Sequence, residues 1–367
     1  MERKRKAGSV SKGLTLVELM VALAISSFLI LGIFQIYSNA RVTDKVGQAV
    51  GRVQETGRVV LDMLSRDLRM VGYYGCIDPR TITSQSINVV ALNSPITAND
   101  ILDSSLQGFD VASGWAVGTQ FDNTDIAADA IIGSDVVAIQ RMRSSGVSVA
   151  SEDITATTIT LESKALGVQK DSLVLVANCN GGHVFRVTND VSEDLILRHD
   201  ESGNTQSVFS AWYGTDASVM GFVSSAYFVA DTGRNGADGA DIFALYRQYD
   251  TSTSGAAGFE VEEIVEGVES LQIEYGERVG DGNIRFVPAS TDGLDMLNVE
   301  SIRIAVLVSS TDNVLQAEDE LTYSLLNESV VVSDDASTGL THSKDRRVRQ
   351  VFRGTINLRN RPISKDS

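Results

Sequence analysis

An apolar run over residues 14–37, broken by a single charge at Glu18, constrains this chain more than any other feature. A helix over those 24 residues measures about 36 Å, enough to cross a bilayer core of about 30 Å with some tilt. Five basic residues precede it (Arg3, Lys4, Arg5, Lys6 and Lys12), and Gly13 stands at the border. A basic head before an apolar run marks an exported chain. A secretory signal, however, has only about 7–15 apolar residues and ends in a small-residue cleavage site, and neither holds here. The leader charges predict a cytoplasmic N-terminus, with everything after Tyr37 on the far side of the membrane. Glu18 is the anomaly. An ionisable group in hydrocarbon is costly and is kept for a partner, unless it simply reaches out to the headgroups.

The string Lys12-Gly13-Leu14-Thr15-Leu16-Val17-Glu18-Leu19 resembles the N-terminal signal of type IV pilins and type II secretion pseudopilins. That resemblance implies cleavage by a prepilin peptidase between Gly13 and Leu14, methylation of the new N-terminus at Leu14, and Glu18 as fifth mature residue. It also implies a role for the carboxylate: in a filament Glu18 sets the register by pairing with the α-amino group of a neighbour's Leu14, which offsets desolvation. Family members usually carry Phe where this chain has Leu14. Gln35 stands where many major pilins carry a kinking proline.

The helical pattern outlasts the apolar run. Val42, Val46, Val50, Val53, Gly57, Val60/Leu61, Leu64, Leu68 and Val71 recur at spacings of three and four, and no proline interrupts residues 14–71. One helix is predicted, with gentle bending at Gly47, Gly51 and Gly57, ending near Gly72 where Gly75 and Pro79 block continuation. Short β-branched runs follow, broken by Gly, Asn, Asp and Ser. Candidate strands are 87–92, 135–142, 158–161, 173–177, 183–188, 195–198, 222–229, 242–249, 271–275, 284–287, 301–309 and 347–358. The acidic run 260–269 reads as a short helix or an edge strand, and the pattern does not decide between them.

The predicted class is α+β: a long N-terminal helix, transmembrane and then amphipathic, packed on a large, mainly antiparallel β body. The predicted organisation is a cleaved leader over 1–13, a membrane or filament-core helix over 14–37, an amphipathic helix over 38–72, and a periplasmic β domain over 73–367. A body of this size has room for two lobes.

The chain's formal net charge is −17. The leader holds five basic residues and one glutamate, so the remainder has 26 basic and 47 acidic residues, a net of −21. So acidic a body repels phosphate backbones, and no nucleic-acid partner is expected. The basic cluster from Arg346, Arg347 and Arg349 to Arg353 alternates with apolar residues and reads as the solvated face of a strand. Cys76 and Cys179 are the only cysteines, and in an exported domain a disulfide between them is the default. In the chain-entropy model, closing a loop of about 100 residues stabilises the fold by roughly 4–5 kcal/mol.

The inventory for catalysis is thin. His183, His199 and His342 have no metal-ligand spacing, and no nucleophile elbow, P-loop or zincin motif occurs. Asp231-Thr232-Gly233 occurs once, where an aspartic protease needs two such carboxylates, and reads as a turn. The stretch 231–241, with Asn235, Asp238 and Asp241, has oxygens enough for calcium but lacks the EF-hand order, and reads better as a solvated loop. No cofactor, metal or enzymatic activity is expected. An internal echo links Gly133-Ser134-Asp135-Val136-Val137-Ala138 to Gly239-Ala240-Asp241-Ile242-Phe243-Ala244, each followed by a strand ending in Arg (Arg141 and Arg247). Both copies read as a glycine turn, an aspartate holding it, and a strand.

Three strings resemble PilW-type minor pilins within the wider group. They are residues 67–76 at the helix–body junction, residues 266–276 with 299–305, and residues 346–353 with 358–361. The implied function is a low-abundance subunit that helps initiate type IV pilus assembly and sits at or near the tip. Its partners would be other minor pilins, the major pilin, prepilin peptidase and the inner-membrane assembly machinery. The implied location is the inner membrane, with the body in the periplasm, and then the pilus. The J-type minor pseudopilins of type II secretion share the N-terminus but have smaller bodies. A membrane-tethered periplasmic binding or sensor module is the competing class.

Overall fold

The computed structural model describes residues 15–78, 86–92, 105–111, 130–143, 145–150, 157–164, 168–191, 195–236, 239–250, 259–333 and 338–361. Gly13, Leu14, Pro79 and Asp238 lie outside them. Helix α1 (Leu16–Arg69) runs for 54 residues, about 81 Å, and opens the described chain. Its buried stripe is Ala49, Val53, Gly57, Val60, Leu64 and Leu68, the three-and-four spacing of a helix that presents one face to a core. Ala49 takes the buried place predicted for Val50, which is only half-buried.

The body is all β. Its first strands are β1 (Ile87–Val89), β2 (Leu106–Asp110), β3 (Asp135–Met142), β4 (Val147–Ser148), β5 (Thr158–Thr160), β6 (Leu173–Asn178), β7 (Gly181–Arg186) and β8 (Ile196–Arg198). The long β9 (Ser218–Asn235), β10 (Asp241–Asp250), β11 (Phe259–Glu266), β12 (Val268–Val279), β13 (Asn283–Val287) and β14 (Val299–Ser309) follow. The chain closes with β15 (Tyr323–Leu325), β16 (Glu328–Ser333), β17 (Thr341–Ser343) and β18 (Arg349–Asn357). The acidic run 260–269 is therefore strand and not helix, stopped by Gly267 at φ +85°.

A nine-stranded sheet contains the order β1-β7-β6-β9-β10-β11, with β2 joined through β3 to β9, and β4 also on β9. A four-stranded sheet runs β13-β12-β14-β18. Pairing is antiparallel except at β1–β7 and β16–β17. The 18-residue β9 is the organiser. Its start pairs with β4 and β6, and its later part with β3 and β10. The two echoed segments are thus the two strands flanking β9. Each is entered by a left-handed glycine, Gly133 at φ +83° and Gly239 at φ +80°.

Of the two aspartates of the echo, Asp241 holds its turn as predicted and Asp135 does different work. Asp135 accepts the Ile273 backbone N–H of β12 at 2.6 Å and so joins two sheets. Burial, together with Asp110 opposite it across β2–β3, pushes its carboxyl up to about 8. Asp241 instead accepts the Asn235 side-chain amide at 2.8 Å, tightening the β9–β10 hairpin. Asp231-Thr232-Gly233 lies within β9 at an irregularity of its register, not in a free turn.

Two main cores result. In the first, Val53, Val60, Leu64 and Leu68 of α1 meet Leu271, Ile273 and Tyr275 of β12, Ile302, Ile304 and Val306 of β14, and Val137, Tyr227, Val229 and Leu245 of the nine-stranded sheet. Burying one such leucine stabilises by about 1.5–3 kcal/mol. The second core, around Val174, Val176, Phe185 and Val219, is roofed by the β5–β8 pair through Ile159 and Leu197.

Candidate assembly interface and helix–body junction

The two ends of α1 are built for different surroundings. From Leu16 to Tyr37 its large apolar residues are solvent-exposed, Phe28 by 77% and Ile36 by 72%. Among the described residues α1 is the one helix long and apolar enough to cross a membrane. One polar side chain there is satisfied locally: Ser27 Oγ donates to the Leu23 carbonyl at 2.8 Å, the arrangement hydrocarbon demands. Just beyond, the Arg41 guanidinium lies 4.6 Å from the centre of the Tyr37 ring, an aromatic–cation pair at the border of the apolar run.

Glu18 sits in the first turn. Thr15 is the N-cap, its Oγ accepting the Glu18 N–H at 3.2 Å, while a Glu18 carboxylate oxygen accepts the Thr15 N–H and hydroxyl, each at 3.2 Å. This capping box satisfies helix-end donors, and the carboxylate suits the positive end of the helix dipole. Among the described residues no cation faces Glu18, and its carboxylate is held by the Thr15 hydrogen bonds. The predicted cleavage and methylation positions, Gly13 and Leu14, lie outside the described residues.

The other end of α1 is locked to the body. Phe352 of β18 fills the space above Gly57, where a Cβ would come within 2.3 Å of the ring. Gly57 therefore allows a close contact with β18, whereas Gly47 and Gly51 meet nothing within 4 Å. Asp67 accepts Arg141 of β3 at 3.3 Å and the hydroxyl of Tyr227 on β9. Burial, and then the negative charge of Asp67, push the Tyr227 phenol well above its usual range. The Asn360 amide donates to the Arg69 carbonyl at 3.0 Å, satisfying one of the carbonyls that a helix C-terminus leaves open. Gly72 at φ +71° turns the chain away, with the Asn360 carbonyl so close that a Cβ would stand 2.6 Å from it. The predicted disulfide is present. Cys76, just past the junction, bridges to Cys179 in the β6–β7 turn across a Cα–Cα distance of 4.9 Å.

The structure corrects the reading of the basic cluster. Arg347 and Arg349 are buried, whereas Arg346 and Arg353 are exposed as predicted. Arg349 reaches Glu269 at 2.7 Å, Asp345 at 2.7 Å and Asp319 at 3.1 Å, with side chains that are all at most 7% exposed. Arg347 donates to the Ala240 and Asp241 carbonyls of the β9–β10 turn. These arginines pin neighbouring segments to β18. They are spoken for within the fold.

The histidines are likewise structural. His183 bonds the Tyr213 hydroxyl and, at 2.9 Å, the Ser210 hydroxyl; His342 bonds the Leu321 and Ser343 carbonyls. His199 stacks on Phe209 at 4.1 Å between ring centres. Burial holds His183 and His199 down at about 4, so both are neutral at pH 7. Among the described residues no group of three or more His, Cys, Asp or Glu is placed to hold a metal ion. The roles of Asn360 and Arg349 do not follow from any local sequence pattern. The signal that bears on them is the string at residues 346–361, which carries the family resemblance and which the fold brings against the junction at 67–76.

Comparison with known families matches residues 226–360 to the model described as Type IV Pilus-assembly protein W, and residues 9–34 to the prokaryotic N-terminal methylation motif. No curated protein and no solved structure matches the chain.

Proposed function

We propose that this chain, a type IV pilus minor pilin of the PilW type, helps to initiate pilus assembly and stays at or near the tip of the filament. In this reading prepilin peptidase cuts between Gly13 and Leu14, Leu14 is methylated, and α1 holds the protein in the inner membrane with its body in the periplasm. Other minor pilins, the major pilin and the inner-membrane assembly machinery then receive it. The observation that carries the reading is the exposed apolar half of α1, standing clear of a body that already has complete cores. An apolar surface of that extent needs lipid or other helices.

Glu18 supports the same reading. Its capping box holds the carboxylate at the very start of α1, next to where the new α-amino group at Leu14 would arise. In hydrocarbon an unneutralised carboxylate is unfavourable, and a neighbouring subunit's ammonium offsets that cost when the helices come into register.

The test begins with the mature N-terminus, which should be a methylated Leu14; a protein still starting at Met1 would sink the proposal. Glu18→Ala should be processed normally yet be missing from sheared pili, and incorporation at the wild-type level would refute the register mechanism. Deletion should strip surface pili. Blocked exoprotein release with pili intact would instead assign the chain to a secretion system.

A further inference from the structure

Strand β18 is the outer strand of its sheet, and among the described residues nothing pairs with its free edge. A nine-residue unpaired edge invites another strand unless something covers it. Alongside it, between β18 and α1, runs a groove of about 850 Å3 with Leu61, Phe352 and Gly354 in its lining. Arg58, Arg66 and Arg69 line it as well, against the single carboxylate of Asp62. Arg66 and Asp62 form an ion pair at 3.0 Å, but both side chains are more than two-thirds exposed, and such a pair contributes little. In a chain of net charge −17 this basic groove is an exception.

The chain also carries the complementary surface. β11 is the outer strand of the nine-stranded sheet, with Glu260, Glu262, Glu263 and Glu266 along it. Among the described residues two guanidiniums answer these four carboxylates: Arg234 with Glu263 and Glu266, and Arg247 with Glu262. The two edges flank α1 on opposite sides. At 3.6 residues per turn Leu61 and Ser65, which line the groove beside β18, fall to one side of the buried stripe. Arg52 and Thr56, which line the cleft beside Val265 and Glu266 of β11, fall to the other.

We infer that the α1–β18 groove receives the acidic β11 flank of a second copy of this chain, with its edge laid beside the edge of β18. The contact is heterologous: each copy uses one surface to give and a different one to receive, so the pair still offers a free β11 and a free β18. With both chains upright in one membrane, such a contact leaves their α1 helices side by side. It does not depend on Glu18 or on processing at Gly13, so its failure and the failure of the proposed function are separable.

The test uses the full chain in liposomes with its native disulfide closed. A Val261→Cys protein is mixed with a Gln350→Cys protein, and the two are oxidised. A mixed dimer linking the two positions is expected, with at least tenfold less product from either variant alone. Arg58→Glu with Arg69→Glu should cut the mixed product about tenfold, and Glu262→Arg with Glu263→Arg on the other partner should restore it. Raising the salt concentration should weaken it. No mixed product, a symmetric 350–350 dimer of equal yield, or indifference to the charge reversals would overturn the inference. A cross-linker at Gln350 that in cells captures only other proteins would overturn it as well.

Discussion

Residues 16–37 and residues 49–68 belong to one continuous helix, and the backbone of α1 treats them alike. Their side chains do not. The first stretch is apolar on all sides and exposed throughout, whereas the second is apolar on one stripe and that stripe is fully covered. A helix that is apolar all round needs a nonpolar surrounding on every side, which this body does not supply. A helix with one apolar stripe needs a single bed, and β12, β14 and β18 supply it. The contrast separates two roles within one element: the C-terminal half belongs to the fold, and the N-terminal half to whatever surrounds it.

The comparison can be broken by paired substitutions, read through the thermal stability of the detergent-solubilised full chain. The largest effect should come from replacing Cys76 and Cys179 with Ser, which frees the junction below the bedded half and costs about 4 kcal/mol. Leu64→Ala should destabilise by about 3 kcal/mol. Leu29→Ala should leave the melting temperature of the body unchanged, and equal effects at the two sites would erase the distinction. Gly57→Ala, which drives a methyl into the Phe352 ring, should cost about 2 kcal/mol, while Gly47→Ala meets open space and should be neutral or slightly stabilising. The smallest of the expected losses should be that of Asn360→Ala, about 1 kcal/mol for the lost bond to Arg69. Amide exchange should localise that loss to the last turn of α1.

Much of this layout is legible in the order of the residues. Periodicity places α1 to within two residues at the start of its span and near its end. The run Asp135–Met142 has the same bounds as the predicted strand, because a glycine turn and a β-branched core announce it. What escapes such reading depends on distant partners. Strands β15, β16 and β17 are short and largely polar, and they exist because Leu325 and Val330 pack on Ala305 and Leu307 while Arg349 gathers Asp319 and Asp345. Arg349 and Glu269 are 80 residues apart, and no local pattern announces that they meet. The strand β2, with a glycine at its centre, carries too weak an alternation to be seen; Gly108 is there because the Tyr275 hydroxyl occupies the space of its missing Cβ. Glu18 stands out by chemistry alone, as a charge where charge is unfavourable. Its capping by Thr15 is local and readable, but the partner proposed for it lies on another chain.

The last strand of the chain makes the bed of its first helix. Until Phe352 and Ile356 arrive, one wall of the stripe from Val53 to Leu68 is missing, and until Asn360 arrives the Arg69 carbonyl lacks its cap. A chain delivered from its N-terminus therefore carries α1 as a loose tether for most of its emergence and acquires a fixed posture only at the end. A copy cut before residue 349 should lose that wall, and amide exchange should then be faster along the stripe from Val53 to Leu68. Whether α1 and the body move as one is thereby decided by β18, the strand furthest from the helix in sequence among the described residues.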